Sequence, residues 1–272
     1  MKLESLLKSS DPILMGILNI TPDSFSDGGL YLDSKQAVLH AKELLSHGAQ
    51  IIDIGGESTG PGSQAVPASE ELERVRKPVE TLVESAIISV DTYKAAVAKI
   101  AIDSGAQIIN DVSALRADPA MAALIASTQA YIVLMYSKEP GCSPHAKPTN
   151  FRYQDIIATI SEFFEKQLDF ATTSGIQPKQ IILDPGMGQF ISADPNYSWE
   201  LLSRLDELAK KFDFPFLVGT SRKSFLKTKL PVTHSLEELD QLSEQTAKLA
   251  IQKGAKIIRL HNLGGILDKA TS

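Results

Sequence analysis

The chain reads as an α/β protein, a closed barrel of eight parallel strands each followed by a helix, and three observations carry that expectation. A six-residue pattern recurs as Gly48-Ala49-Gln50-Ile51-Ile52-Asp53, Gly105-Ala106-Gln107-Ile108-Ile109-Asn110 and Gly254-Ala255-Lys256-Ile257-Ile258-Arg259. Each copy follows a stretch of helical periodicity, so helix and strand alternate along the chain. Eight short apolar runs within 272 residues fit a (β/α)8 TIM barrel better than an open doubly wound sheet. The open alternative, a Rossmann-like sheet, lacks its G-x-G-x-x-G after the first strand.

An extra helical turn is expected in residues 1–11, ahead of a first strand over Ile13–Leu18. In the helix that follows, Ala37, Val38, Ala41, Leu44 and Leu45 recur at helical spacing, and Gly48 stands where a left-handed C-cap would end it. The Ile-Ile pair of each repeat then enters a buried strand, which places Asp53, Asn110 and Arg259 at the carboxyl ends of three equivalent strands. The remaining strands are expected over Ile87–Asp91, Tyr131–Met135, Gln180–Asp184 and Phe216–Gly219. No Pro/Gly/Ser-rich linker or charge run divides the sequence, so residues 1–272 are expected to form one domain.

Composition excludes several classes of function. A hydrophobic content of 43% with 22% charged residues is that of a soluble globular chain with a sizeable core. The net charge of −6 and the absence of a basic patch argue against nucleic acid as a partner. No run is long enough for a membrane span and the amino terminus lacks a signal-peptide core, so a cytoplasmic location is expected. Cys142 is the single cysteine, an incidental loop thiol rather than a nucleophile. His40, His47, His145, His234 and His261 show no spacing for zinc.

In a barrel of this kind, ligand chemistry belongs at the carboxyl ends of the strands. Seven of the eight deliver a polar residue or glycine there: Asn19, Asp53, Asp91, Asn110, Asp184, Gly219 and Arg259. Singly, each reads better as a structural cap or a paired barrel residue; together they point to a polar pocket. Asp184, in the segment QIILDPGMGQF, can accept two parallel N–H donors, with Lys223 as a positive donor nearby and Asn110 able to give and take. A structural ion pair from Asp184 to Lys223 or Arg222 is the competing reading. Ser89 and Asp91 share one strand face, so Asp91 is expected to point inward, while the neighbouring Thr92 is equally well a helix cap. Arg259 and His261 also share a face and form a cationic pair suited to phosphate oxygens.

Four segments carry a family resemblance: NITPDSFSDGG from Asn19 to Gly29, IIDIGGESTGPGS from Ile51 to Ser63, the Asp184 segment, and VGTSRKSFL from Val218 to Leu226. Over essentially the whole chain they resemble the dihydropteroate synthase family of the folate pathway. The resemblance implies condensation of (7,8-dihydropterin-6-yl)methyl diphosphate with 4-aminobenzoate, releasing diphosphate and dihydropteroate, with sulfonamides as competitors. It implies that Asp91, Asn110, Asp184 and Lys223 bind the dihydropterin ring, with Met135 and Gly219 beside it. Asn19, Thr59, Arg259 and His261 would hold the diphosphate, Asn19 together with Mg2+. Phe25, Thr59, Pro61, Phe190 and Ser224 would form the 4-aminobenzoate pocket as long mobile loops after the first two strands close. The catalytic set implied is Asp91, Lys223, Arg259 and His261, and the assembly implied is a homodimer built on outer helices.

The chain departs from the family pattern at four places. Gly60 stands where most relatives have arginine, and Gln189 where phenylalanine is usual, with Phe190 one place late. The fifth strand ends Leu134-Met135-Tyr136-Ser137 in place of M-H-M, and the last motif reads RLHNL in place of RVHDV. Two alternatives stay open on sequence: a methyltetrahydrofolate-dependent corrinoid methyltransferase domain, and a non-catalytic pterin-binding paralogue.

Overall fold

The structure, a computed structural model, describes residues 2–20, 29–58, 63–139, 145 and 149–266, and the side chains of these apart from 29–34. Phe25, Thr59, Gly60, Pro61 and Cys142 lie outside the described residues, and so does much of the two loops expected to close over the site.

Eight parallel strands run in the order β6-β5-β4-β3-β2-β1-β8-β7. They are β1 Ile13–Asn19, β2 Ile51–Gly55, β3 Ile87–Asp91, β4 Ile108–Asp111, β5 Tyr131–Met135, β6 Ile181–Asp184, β7 Leu217–Val218 and β8 Ile257–Leu260. A bridge from Leu183 to Phe216 joins the two ends, and the sheet closes into the expected (β/α)8 barrel. Around it pack α1 Leu3–Lys8, α2 Gly29–Ser46, α3 Ala68–Leu82, α4 Ala95–Asp103, α5 Ala120–Ala126, α6 Ile156–Thr173, α7 Pro195–Ser203, α8 Leu205–Lys211 and α9 Leu236–Gln252. No helix among the described residues is long and apolar enough to cross a membrane.

The repeated glycines end helices as their positions predict. Gly48, Gly105 and Gly254 have φ of 93°, 104° and 98°, the left-handed region that a side chain disfavours. Each is followed by the same pair of backbone bonds; for the first, Gly48 N–H reaches Leu45 O at 3.0 Å and Ala49 N–H reaches Leu44 O at 3.0 Å. Gly175 repeats the geometry at φ 94°, but a short 3-10 helix, Pro178–Gln180, separates it from β6 and hides the pattern in the sequence. Gln180, expected to open β6, instead closes that turn and donates to the carbonyls of Thr128 and Ala130.

Side-chain alternation sorts every strand between two environments. Ile52, Ile54, Ile88, Val90 and Ile109 face outward into the helix layer. Ile51, Ile87, Ile108, Val133, Ile182, Leu217 and Ile257 face inward at the amino-terminal end, where Leu3 of α1 plugs the barrel. Burying each such Ile or Leu contributes about 1.5–3 kcal/mol. One structural correction follows from the register: Asp53 does not end its strand. It pairs with Ile17 and Ser89 in mid-strand, and Gly55 is the residue beside Asp91.

Candidate functional site

Two residues further along the same inward faces, the apolar lining gives way to polar groups. A small inner chamber of about 30 Å3 is bounded by Asp91, Asn110, Met135, Asp184, Gly219, Lys223 and Arg259, with Val112, Met187 and Phe190 as its apolar walls. It adjoins an outer cavity of about 450 Å3 bordered by Asn19, Glu57, Phe190, Ser224, Arg259 and His261. Asp91, Phe190, Lys223 and Arg259 belong to both. The expected residues that are described therefore converge at one barrel mouth. A larger hollow of about 550 Å3 lies near α1, far from these groups. Of the three lysines that line it, Lys8 is engaged by Glu4 and Lys256 by the carbonyls of Ser9 and Asp11, and the third is Lys179.

The turn after β6 shapes the inner wall. Gly186 and Gly188 both have positive φ, 70° and 66°, and a Cβ on Gly186 would fall 2.4 Å from Tyr136 O, so no other residue fits there. Asp184 Oδ1 accepts the Gly186 N–H at 2.7 Å. The ion pair considered for Asp184 does not involve Arg222, which turns away and grips Asp240 through Nε at 2.7 Å and Nη2 at 2.9 Å. Lys223 lies over the Phe190 ring, its Nζ 4.8 Å from the centroid.

A second group of contacts spans four strands, β2, β3, β4 and β8. Arg259 Nε donates to Asp53 Oδ2 at 2.6 Å and Arg259 Nη2 to Asp91 Oδ2 at 2.9 Å, while Asn110 Nδ2 donates to the same Asp53 oxygen at 3.0 Å. Asp91 Oδ1 and Asn110 Oδ1 are buried and accept no hydrogen bond among the described residues. Buried acceptors left in this way bordering a chamber fit a ligand that brings N–H donors. Thr92 does not cap α4: its hydroxyl accepts from Lys94 N–H, and the Ala95 N–H goes to Asp118.

Burial governs the charges of these groups. It pushes Asp91 up to about 7, aided by Asp53 and resisted by Arg259. Asp184 rises to about 6, burial outweighing the Gly186 N–H and the Lys223 charge. Lys223 falls to about 8 through burial and the nearby Arg259. Burial would also lower Arg259, yet the carboxylates of Asp53 and Asp91 hold it above the ordinary range. His261 departs from expectation. Burial, with Arg222 and Arg259 close by, lowers it to about 3, so Arg259 and His261 are one cation and one neutral ring. Ser221 Oγ lies 3.0 Å from His261 Nδ1 and accepts the His261 backbone N–H at 3.1 Å. A hydroxyl proton given to Nδ1 leaves Nε2–H as the ring's free donor.

Sequence reasoning left out a buried cluster at the rim. Glu57 accepts from Tyr93 at 2.7 Å, His145 at 2.9 Å, Val66 N–H at 2.9 Å and Lys94 at 2.5 Å. Burial raises the Glu57 carboxyl, but Lys94, Tyr93 and the Val66 amide hold it below the usual range. The Glu-Ser-Thr after Gly56 was its only trace in the sequence, because its partners come from elements far apart in the chain.

Of the residues able to hold a metal, Asn19 offers a hard oxygen: its Oδ1 lies 3.4 Å and Asp91 Cβ 3.7 Å from where a Cβ on Gly55 would stand. No cluster of three or more His, Cys, Asp or Glu ligands occurs among the described residues. A single hard oxygen of this kind suits a cation that keeps most of its ligands as phosphate and water.

Residues 15–261 match the pterin binding enzyme family. The chain is 40% identical over 260 residues, 95% of its length and 86% of the relative's, to the dihydropteroate synthase of Bacillus subtilis. It is similar in structure to the Xanthomonas albilineans dihydropteroate synthase solved with 4-aminobenzoic acid, at TM-score 0.85 and 38% identity, covering 96% of this chain and 91% of that one. A Yersinia pestis dihydropteroate synthase solved with a sulfonamide drug matches at TM-score 0.85 and 38% identity, over 95% and 92% of the two chains.

Proposed function

The chain belongs to the pterin binding enzyme family, and we infer that it works there as a dihydropteroate synthase. The reaction joins (7,8-dihydropterin-6-yl)methyl diphosphate to 4-aminobenzoate and releases diphosphate, with residues 1–272 acting as one domain. The observation that carries this reading is the inner chamber: buried acceptors on Asp91 and Asn110, the Asp184 carboxylate, and the Lys223 ammonium beside an Arg259 already engaged by carboxylates. A pterin is complementary to it. Its 2-amino group and N3–H donate to carboxylates, and its carbonyl and ring nitrogens accept from an ammonium.

The division of labour follows from the charges. An arylamine is a nucleophile without prior deprotonation, so catalysis rests on releasing diphosphate rather than on a general base. Arg259 supplies a fixed positive charge to the outer cavity, which Arg222, Lys223 and Lys227 also line, and the neutral His261 supplies a hydrogen-bond donor. Asp91 and Asp184 face the ring on which positive charge develops as the methylene carbon loses its leaving group. Asn19 would be the protein's ligand to Mg2+, whose chemistry when bound is to neutralise the departing diphosphate oxygens. Phe190 and Ser224, on the outer cavity, would meet 4-aminobenzoate, whose site sulfonamides would share.

The test is an assay of dihydropteroate formation from the two purified substrates, with and without Mg2+. Product formation inhibited by a sulfonamide supports the reading. Methyl transfer to a corrinoid protein without any dihydropteroate would overturn it in favour of the methyltransferase alternative, and pterin binding with no turnover would point to a non-catalytic paralogue.

A further inference from the structure

Asp53 is fully buried in mid-strand, one inward position deeper than Asp91. It borders neither chamber and lies beneath the space that a ligand entering at the carboxyl ends would fill. Yet one of its oxygens receives both Arg259 Nε and Asn110 Nδ2, at 2.6 and 3.0 Å. A carboxylate can only accept, so the contact decides which way the Asn110 amide faces. The NH2 is held against Asp53, which leaves the carbonyl oxygen, buried and without a partner among the described residues, as the amide's other face in a side chain that borders the chamber. The same carboxylate holds the guanidinium by Nε, so that Nη2 meets Asp91.

We propose that Asp53 is a positioning residue: its carboxylate, beneath the site, fixes Asn110 as an acceptor for the pterin's donor edge and aims Arg259 at the outer cavity. This rests on reading the chamber as the pterin site. Without Asp53 the Asn110 amide is free to turn its NH2 toward the ligand's own N–H donors, which opposes two donors across a buried contact.

Three variants separate positioning from bulk charge. Asp53→Asn keeps an acceptor oxygen within reach of Arg259 and Asn110; Asp53→Ala removes it; Asp53→Val removes it while filling the volume between Ile17 and Ser89. Calorimetric titration of each with 7,8-dihydropteroate should give an affinity within about three-fold of wild type for Asp53→Asn, and a loss on the order of ten-fold or more for Asp53→Ala and Asp53→Val. In the Asn110→Ala background, Asp53→Ala should add little to the loss of affinity, because its effect on the ring runs through Asn110. In turnover, Asp53→Ala should also raise KM for the diphosphate substrate, the Arg259 arm, with less change in KM for 4-aminobenzoate. Thermal melts identify a variant that fails to fold; where the alanine does, the valine carries the test. Equal losses in Asp53→Asn and Asp53→Ala would overturn positioning in favour of charge alone, and full additivity with Asn110→Ala would overturn the route through the amide. Wild-type affinity in the folded alanine or valine variant would sink the inference while leaving the pterin reading intact. A wild-type protein that does not bind 7,8-dihydropteroate would sink that reading itself.

Discussion

The two ends of the barrel interior are built from the same strands and differ in almost every physical respect. At the amino-terminal end, Ile51, Ile87, Ile108, Ile182 and Ile257 close around Leu3 with no polar side chain among them. Two residues on, the same inward faces carry Asp53, Ser89, Asn110, Asp184 and Arg259, all but the arginine buried as deeply as a core residue. Parity fixes direction in both halves, so chemistry alone separates them. The apolar end gains free energy from burial, whereas the polar end holds three carboxylates, a guanidinium and an ammonium against the cost of desolvation. Its arrangement makes sense only with a ligand to complete it.

The largest expected effect tests whether the apolar end is purely structural. Ile87→Ala should lower stability by about 2–5 kcal/mol, the cost of a cavity where little can collapse. Denaturant unfolding would measure it, and KM for both substrates should stay at the wild-type value in the protein that remains folded. A changed KM would show that packing at the bottom sets geometry at the top.

Asp184→Asn, at the other end, should do the reverse. Exchanging a carboxylate for an amide forfeits a charge-assisted contact on the order of 1.5–3 kcal/mol in pterin affinity, while the melting temperature changes little. Titration with a pterin ligand beside a thermal melt gives both numbers. Unchanged affinity in a folded variant would remove Asp184 from the ligand's contacts.

The apolar end was also the more legible in sequence. The Gly-Ala-X-Ile-Ile repeat announced strand, parity and helix end together, since each depends on neighbours within a few residues. At the polar end, residue types and strand ends were readable, and Asp91, Asn110, Asp184, Lys223 and Arg259 do meet at one chamber. Their pairings were not readable. Asp53 joins Arg259 across 206 residues, and Glu57 joins His145 across 88, contacts that no local pattern encodes. The charge of His261 was misread because its state depends chiefly on burial, which the tertiary fold sets, and then on Arg222, 39 positions away, as well as on the neighbouring Arg259.

Those charges give the comparison a pH signature that the apolar end lacks. The acidic limb of kcat/KM should fall between about pH 6 and 7, where Asp184 and Asp91 take up protons, and the basic limb near pH 8, where Lys223 loses its own. Stability runs the other way. Asp184 binds its proton more tightly folded than unfolded, so its contribution is complete below about pH 4 and is lost as pH rises through about 6. Wild type should therefore gain on Asp184→Asn in melting temperature as pH drops from 7 toward 4. An advantage independent of pH would show that Asp184 titrates normally in the fold.

The smallest expected effect concerns an aromatic ring that forms an apolar wall within the polar end. Phe190 packs with Val112 and Met135 as core residues do, yet its face lies under the Lys223 ammonium at the polar mouth. Removing it takes away a cation–π contact of about 0.5–1 kcal/mol, rising toward about 2 where water is excluded. It also admits water beside Lys223. Since burial is the leading cause of that lysine's low value, Phe190→Ala should move the basic limb of kcat/KM upward from about 8 toward the ordinary lysine range, together with a few-fold weaker pterin binding. A pH profile of wild type and variant measures the limb directly. If the limb stays in place, the Lys223 ammonium is governed by Arg259 and the carboxylates rather than by its apolar wall, and the polar end keeps its charges by mutual interaction alone.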